Sequence, residues 1–231
     1  MTAATERRAA TERVVLNDGT PMPRLGFGTY QIEGDQQAYD AVLNALNTGY
    51  RLVDTASVYE NERGVGEAIR DSAIPREELF VTTKLWSSDH GYSRTFEAFQ
   101  ASRERLGLTC VDLYLIHWPG GGRITETWDA MIELREQGAV RSIGVSNFGI
   151  ADLRVLKERS TVIPAVNQIE WNVFTYPREL IAYCRDNGIA VEAYSPLARG
   201  NTRGDRRLVE IAQTYHRTPA QVMLRWLLQH D

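Results

Sequence analysis

The sequence predicts an α/β protein, a (β/α)8 TIM barrel preceded by a β-hairpin. Short runs rich in Val, Ile and Leu alternate with segments whose apolar residues lie three and four apart, as in parallel strands joined by helices. No linker or change of composition interrupts this alternation, and 231 residues come near the roughly 250 of a single barrel. We therefore expect one barrel domain over residues 14–231 and a disordered tail over residues 1–13.

The predicted domain opens with the hairpin. Residues 14–20 read VVLNDGT, a strand that runs into an Asp-Gly turn, and the proline-flanked MPRLGFG follows. The tail before it, MTAATERRAATER, is polar and basic and has no apolar stretch of the kind found in signal peptides. A tail without fixed structure is therefore preferred over an amphipathic transit peptide.

Seven strand candidates follow the hairpin. In chain order they are LGFGTY, RLVDTA, LFVTTKL, VDLYLIHW, SIGVSNF, AVNQIEW and AVEAYSPL. Their apolar runs are nearly continuous, which is typical of parallel strands covered on both faces.

Helical spacing is found between these strands and after the last of them. The segments are 36–48, 61–72, 93–106, 124–137, 150–158 and 177–187, followed by the pair 208–216 and 219–229. Four glycines directly follow a helical segment, where a residue at positive φ ends a helix without strain: Gly49, Gly107, Gly138 and Gly188.

An eighth strand and its helix are not found after the seventh strand. We therefore expect a barrel that is short at its C-terminus. Open parallel edges leave backbone groups unpaired, so the first and seventh strands would need a partner or a segment outside this sequence to close them.

Composition and charge exclude several classes of function. The formal net charge is −4, and binding to a phosphate backbone would instead require clustered Lys and Arg. No apolar run approaches the length of a membrane span. Cys110 and Cys184 form no CxxC pair, so we expect no disulfide framework and no metal site, and cytoplasmic localisation.

Ionisable side chains interrupt three consecutive predicted strands. Asp54 ends RLVD, Lys84 ends LFVTTK and His117 ends VDLYLIH. The carboxyl ends of barrel strands form the catalytic face, so these groups are expected to meet there. A single charge at a strand end is usually solvated or paired. Three on successive strands, with Tyr59 in the loop after Asp54, indicate a catalytic site.

The combination suits the protonation of an oxyanion. A buried Lys84 ammonium needs an anion, which Asp54 can supply. A positive charge beside Tyr59 should lower the pKa of its phenol and ease proton release, and a neutral His117 could polarise a carbonyl. No side chain donates hydride, so reduction requires a nicotinamide or flavin.

Several common motifs are absent from the sequence. GFGTYQ has Gln31 where a dinucleotide-binding fingerprint needs its third glycine, and GVGEAI has Ile69 there. GVSNF has Phe148 in place of the final glycine of GxSxG, and Walker A and HExxH motifs are missing. P-loop, zincin and α/β-hydrolase assignments are therefore unsupported.

Seven ordered segments carry a resemblance to a known family. GFGTY, DTASVYENERGVGEAI, TTKLW, LIHWP, IGVSNF, NQIEWN and AYSPLARG resemble, in order and spacing, the aldo-keto reductases. The likeness covers about residues 14–229. The short glycine-rich PGGGR loop is similar to that of bacterial 2,5-diketo-D-gluconate reductases, which act on small aldehydes and ketones.

The resemblance implies an NADPH-dependent reductase of aldehydes and ketones with a defined site. Tyr59 would be the proton donor, Asp54 and Lys84 would lower its pKa, and His117 would direct the carbonyl. The implied cofactor contacts are Thr29, Tyr30, Asp54, Ser146, Asn147, Gln168, Trp171, Ser195 and Leu197, with Trp171 stacked on the nicotinamide. Trp86 and Trp118 would wall the substrate pocket with His117.

Other functions stay open at this point. NADH is not excluded, because the family segment that grips the 2′-phosphate would follow residue 231. Lys84 could be the Schiff-base nucleophile of a lyase or isomerase. The chain could also be a catalytically weak, nicotinamide-binding regulatory barrel. As an enzyme, it is expected to be a monomer that acts on a small carbonyl compound, with neither nucleic acid nor membrane as a partner.

Overall fold

The computed structural model describes residues 12–120, 122–200 and 205–230. Most of the predicted tail, residues 1–13, lies outside them, and its last residue, Arg13, instead begins the first strand. Strands β1 (Arg13–Val15) and β2 (Pro21–Pro23) form the predicted antiparallel hairpin. Leu16 and Met22 are buried against residues at the starts of the barrel strands, so the hairpin covers the end opposite the predicted site.

Seven parallel strands follow in chain order, and each is hydrogen-bonded to the next. They are β3 (Gly26–Gly28), β4 (Leu52–Asp54), β5 (Phe80–Leu85), β6 (Val111–Ile116), β7 (Val140–Ser146), β8 (Val166–Glu170) and β9 (Ala190–Tyr194). Residues of β5 and β6 are buried throughout, as their continuous apolar sequences predict. The predicted alternation of strands and helices is confirmed.

Eight α-helices accompany the strands in the described residues. They are α1 (Gly34–Asn47), α2 (Glu62–Asp71), α3 (Tyr92–Leu106), α4 (Ile124–Glu136), α5 (Ile150–Arg159), α6 (Arg178–Asp186), α7 (Arg206–Thr214) and α8 (Pro219–Leu227). No helix in this part of the chain is long and apolar enough to span a membrane. The four predicted capping glycines all have positive φ.

The main core lies between the sheet and its covering helices. Phe99, Tyr114 and Trp128 are among its largest fully buried side chains. Two glycines of α2 allow neighbouring helices to approach closely. A Cβ on Gly64 would lie 1.9 Å from the Asp35 carbonyl oxygen, and one on Gly66 would lie 2.1 Å from that of Leu106. Glycines in the GVGEAI segment therefore pack helices together.

The outer edges of β3 and β9 pair with no strand of the residues described. Between these edges opens a cleft of about 1560 Å³ that continues to the carboxyl ends of the strands. All five residues of β9 are only partly buried. The cleft therefore connects the opening beside β9 with the space that contains the predicted catalytic groups.

Candidate active site

The four predicted catalytic residues lie at one end of the sheet. Asp54 is the last residue of β4, Lys84 is the penultimate residue of β5, and His117 directly follows β6. Tyr59 ends a short 3-10 turn after β4, where Glu60 adopts a left-handed conformation at φ 56°. Successive parallel strands thus deliver the groups to a shared space, as the sequence predicts.

Lys84 links Asp54 to Tyr59. Its Nζ atom lies 2.5 Å from Asp54 Oδ1, 3.0 Å from the Thr55 carbonyl oxygen and 3.4 Å from the Tyr59 hydroxyl. The Lys84 side chain is fully buried. A buried ammonium is stable only with compensating partners, and here a carboxylate, a carbonyl and a phenol provide them.

The electrostatics of Tyr59 differ from the sequence-based expectation. Burial raises the pKa of its hydroxyl above the ordinary value, Lys84 opposes this, and Asp54 adds to the rise. The expectation that Lys84 and Asp54 together lower this pKa is therefore wrong in its net direction. Only Lys84 lowers the pKa of Tyr59 as predicted. Its effect is smaller than the rise that results from removing the phenol from water.

The pKa of Lys84 itself shifts upward. Burial by itself lowers it, but Asp54 and Tyr59 oppose that effect, and the net direction is a rise. The amine therefore remains a cation at neutral pH.

His117 is held as a neutral imidazole. Burial, followed by the charge of Lys84, lowers the pKa of His117 to about 3. Its ring packs edge-on against Tyr59 and Trp86, with ring centroids 5.6 and 5.2 Å away. Buried Nδ1 has no hydrogen-bond partner in the described residues. A proton there would lack an acceptor, which favours the tautomer that carries it on Nε2.

Polar side chains from β7 and β8 extend the site. Gln168 Nε2 donates to Asp54 Oδ2 at 2.9 Å, and Ser146 Oγ donates to the Gln168 carbonyl oxygen at 3.0 Å. Asn147, in a left-handed conformation at φ 61°, donates to the His117 carbonyl oxygen and to Ser146 Oγ. Three predicted cofactor residues are thereby tied to the catalytic group.

Tyr194 is a site residue that sequence reasoning missed. It ends β9, and its hydroxyl donates to Asn147 Oδ1 at 2.8 Å. Its aromatic side chain lines the cleft together with Asn147 and Gln168. Tyr194 could have been predicted from the sequence, because it ends the AYSPL strand and directly precedes Ser195, an implied cofactor contact.

Trp171 and Thr29, two of the implied cofactor contacts, are packed against other residues of the protein. Trp171 stacks on Tyr176, with centroids 5.8 Å apart and planes inclined by 14°, and Trp226 packs edge-on against it. Trp171 thus belongs to a packed aromatic cluster and also lines the cleft, so its expected stacking on a nicotinamide stays a prediction. Thr29, another implied cofactor contact, is fully buried, and its hydroxyl lies 3.3 Å from Asn61 Oδ1.

The remaining predicted residues border the cleft. Tyr30 is 56% exposed, and its ring lies 5.1 Å from that of Tyr59. Trp86 packs on His117, whereas Trp118 is 44% exposed. These three aromatic residues line the cleft, as do Ser195 and Leu197 from the loop after β9. The described residues contain no group of three or more His, Cys, Asp or Glu arranged to hold a metal ion.

Sequence comparison agrees with this geometry. A family model described as the aldo/keto reductase family matches residues 24–231. The chain belongs to the aldo/keto reductase family. The resemblance found in the seven sequence segments is therefore confirmed at the level of the family. The finer likeness to 2,5-diketo-D-gluconate reductases stays a prediction.

Curated relatives include enzymes with two different named substrates. This aldo/keto reductase is 44% identical over 219 residues to the glyoxal reductase of Bacillus subtilis strain 168, covering 95% of the chain and 79% of the relative. It is 46% identical over 220 residues to the 9,11-endoperoxide prostaglandin H2 reductase of Trypanosoma cruzi strain CL Brener, covering 94% and 78%.

Solved structures share the fold of this reductase. An aldo/keto reductase from Brucella melitensis superposes with a TM-score of 0.91 at 48% identity, covering 94% of this chain and 84% of that one. A Bombyx mori aldo-keto reductase solved in complex with NADP gives a TM-score of 0.88 at 37% identity, covering 94% and 80%.

Proposed function

We propose that this aldo/keto reductase reduces aldehydes and ketones to alcohols with NADPH, and that Tyr59 donates the proton. The observation that carries the proposal is the Tyr59 hydroxyl, held 3.4 Å from the Lys84 ammonium at the end of an open cleft. Lys84 is in turn neutralised by Asp54. This arrangement offers a proton beside a cation that stabilises the phenolate left behind.

The cleft offers a polar and aromatic lining that fits a nicotinamide. Ser146, Asn147 and Gln168 present hydroxyl and amide groups suited to a carboxamide, and the Tyr194 ring could flank the nicotinamide in place of Trp171. Ser195 and Leu197 also line the cleft and would contact the pyrophosphate of the cofactor. When bound, NADPH supplies the hydride for the carbonyl carbon.

Tyr59 can act as a general acid that stays protonated until the reaction needs the proton. Because burial raises the pKa of its hydroxyl, the group holds its proton at neutral pH until a stronger base forms nearby. An oxygen that becomes an alkoxide is such a base. The Lys84 ammonium then lowers the cost of the phenolate that remains after transfer.

His117 can orient the carbonyl without competing for the proton. The pKa of about 3 keeps its ring neutral, and Nε2–H is the donor available to a carbonyl oxygen. Trp86 fixes the ring from one side, and Tyr59 packs against it as well. A hydrogen bond from His117 would hold that oxygen near the Tyr59 hydroxyl.

The proposed substrates are small carbonyl compounds. Aromatic residues Tyr30, Trp86 and Trp118 surround the approach to Tyr59 and His117 and can cover an apolar substituent. The name of the Bacillus subtilis relative supports glyoxal as a first substrate to test. We further propose a monomeric enzyme located in the cytoplasm, where free cysteines such as Cys110 and Cys184 stay reduced.

The geometry favours reduction over Schiff-base chemistry at Lys84. An amine must be uncharged to attack a carbonyl, whereas the raised pKa of Lys84 keeps it protonated. Its Nζ atom is also occupied by Asp54 and the Thr55 carbonyl oxygen. Lys84 is therefore suited to an electrostatic role.

The proposal is tested by following NADPH absorbance during incubation with glyoxal and with an aromatic aldehyde. We expect steady oxidation of NADPH that depends on the carbonyl compound. Borohydride treatment in the presence of glyoxal should leave Lys84 unmodified. NADPH oxidation that does not respond to any carbonyl substrate would reject the proposed activity, and trapped substrate on Lys84 would favour the lyase alternative.

A further inference from the structure

Glu192 is an acidic residue inside the sheet that the proposed mechanism does not use. It lies in the middle of β9 and is in register with Gln168 on β8. Its neighbour Val191 packs towards the helices, so alternation along the strand turns Glu192 to the barrel interior. Glu192 lines the same cleft as Asp54 and Tyr59.

One oxygen of this carboxyl group lacks a partner. Glu192 Oε2 is buried and makes no hydrogen bond with any residue that the structure describes. The neutral side chain of Gln168 donates to Asp54 Oδ2 at 2.9 Å and also interacts with the Glu192 side chain. Glu192 therefore belongs to the polar group around Asp54 through Gln168.

The local charges do not balance if both carboxyl groups are ionised. The titratable groups that face Glu192 are Asp54 from β4 and Lys84 from β5, and Gln168 from β8 is neutral. The single ammonium already contacts Asp54 at 2.5 Å. A second carboxylate, with one of its oxygens buried, would lack a cation, which is costly where solvent does not reach that oxygen.

The protonation of Glu192 follows from this imbalance. Burial, and then the charge of Asp54, raise the pKa of Glu192 to about 7, while Gln168 and Lys84 act in the opposite direction. Glu192 thus carries its proton at mildly acidic pH and releases it to solvent as the pH rises through neutrality.

We propose that Glu192 is a positioning residue that acts on Asp54 through Gln168, and whose ionisation makes the site less able to reduce a carbonyl. The first half rests on the juxtaposition of Glu192, Gln168 and Asp54. The second half also rests on the proposed reductase function.

The expected sign of the effect is fixed by charge. An ionised Glu192 adds a negative charge near Lys84 and Tyr59, and so opposes both the phenolate and the alkoxide that develop during reduction. Reduction should therefore be faster below neutrality than above it. An uncharged residue of the same shape should abolish this dependence.

The matched variants are Glu192→Gln and Glu158→Gln. Glutamine reproduces the uncharged carboxyl in shape, and Glu158 is exposed on helix α5, outside the barrel. In the wild type and in Glu158→Gln, we expect kcat for aldehyde reduction to fall about tenfold between about pH 6 and about pH 8. In Glu192→Gln we expect kcat to vary less than about twofold over the same range.

A second measurement reports the proton without requiring turnover. Infrared spectra of the wild-type protein should contain a protonated-carboxyl band that disappears as the pH rises through neutrality, and the band should be missing in Glu192→Gln. If the wild type has no such band, or if the variant retains it, Glu192 does not hold the proton. If the band behaves as expected but the pH dependence of kcat is the same in both proteins, the link to reduction is overturned. A normal band in a chain that reduces no carbonyl compound would reject the proposed function alone.

Discussion

The hydroxyl of Tyr59 is the group on which the proposed reaction depends most directly. Tyr59→Phe removes this hydroxyl with little change in the volume of the ring. We expect kcat for aldehyde reduction to fall by about 10² to 10⁴, the usual contribution of general acid catalysis. NADPH affinity, measured by fluorescence titration, should stay nearly unchanged because no proposed cofactor contact is lost.

Tyr215 provides the control for this substitution. It is 70% exposed after helix α7, so Tyr215→Phe makes the same chemical change away from the site. We expect wild-type turnover from this control. Reduction by Tyr59→Phe at the wild-type rate would mean that another group, or water, supplies the proton.

The Lys84–Asp54 pair has a structural as well as a chemical role. Lys84→Met leaves the Asp54 carboxylate without its cation, and breaking a buried pair in this way costs about 3 to 5 kcal/mol. Adding Asp54→Asn removes the unpaired charge and should recover part of the loss. Urea denaturation at neutral pH measures both free energies of unfolding.

Turnover separates the two roles of this pair. Both Lys84→Met and the double variant should reduce aldehydes slowly, because neither retains the ammonium that stabilises the Tyr59 phenolate. Asp54→Asn alone should slow the reaction less. A double variant no more stable than Lys84→Met would contradict the proposed charge compensation in the folded protein.

Individual site residues differ in how much of their setting the sequence reveals. Asp54, Lys84 and His117 could be predicted because each interrupts an apolar strand near its carboxyl end. The net pKa shift of Tyr59 could not, because it depends on burial as well as on neighbouring charges. Nor could the packing of Trp171 in an aromatic cluster, since an aromatic residue after a strand suits a cofactor pocket and a packed cluster equally.

Helix α8 offers a test of local structure at the scale of one element. Thr218 Oγ1 accepts from the Gln221 backbone N–H at 3.2 Å, and Gln221 Oε1 accepts from the Thr218 N–H at 2.9 Å. Thr218→Ala removes half of this capping box and should lower the free energy of unfolding by about 1 kcal/mol. Urea denaturation measures the change.

Two control variants show whether a loss of stability in Thr218→Ala comes from the lost cap or from any substitution in this region. Thr218→Ser keeps an acceptor oxygen and should stay close to the wild type. Thr214 donates to the Glu210 carbonyl oxygen within α7, so Thr214→Ala removes a hydroxyl that caps no helix. Equal losses in Thr218→Ala and Thr218→Ser would show that the hydroxyl cap is not the cause.

Element boundaries are less well predicted than element types. The LGFGTY segment contains a strand of only three residues, although the Thr29 N–H still donates to the Asp54 carbonyl oxygen of β4 and its hydroxyl lies near Asn61. Helix segments were predicted to within a few residues, since apolar spacing and glycine caps specify their lengths. Glu192 escaped prediction because a polar residue on a half-covered strand suggests solvent as readily as an interior site.

The whole molecule combines a well-packed middle of the sheet with two open edges. Strands β5 and β6 are completely buried, whereas β9 is partly exposed along its length. The sequence could predict seven parallel strands and their order, because each strand is joined to the next through a helix. It could not predict how the cleft between β3 and β9 shapes the site, because that depends on the three-dimensional arrangement of both edges.

Hydrogen exchange should reveal the difference between the edges and the middle of the sheet. Backbone N–H groups on the outer edges of β3 and β9 have no strand partner in the described residues, while those of β5 to β7 are paired on both sides. We therefore expect mass spectrometry to detect exchange in β3 and β9 at least about tenfold faster than in β6, since exposed backbone hydrogen bonds open at lower free energy. Equal protection across all seven strands, measured at low protein concentration, would mean that the two edges are covered in solution.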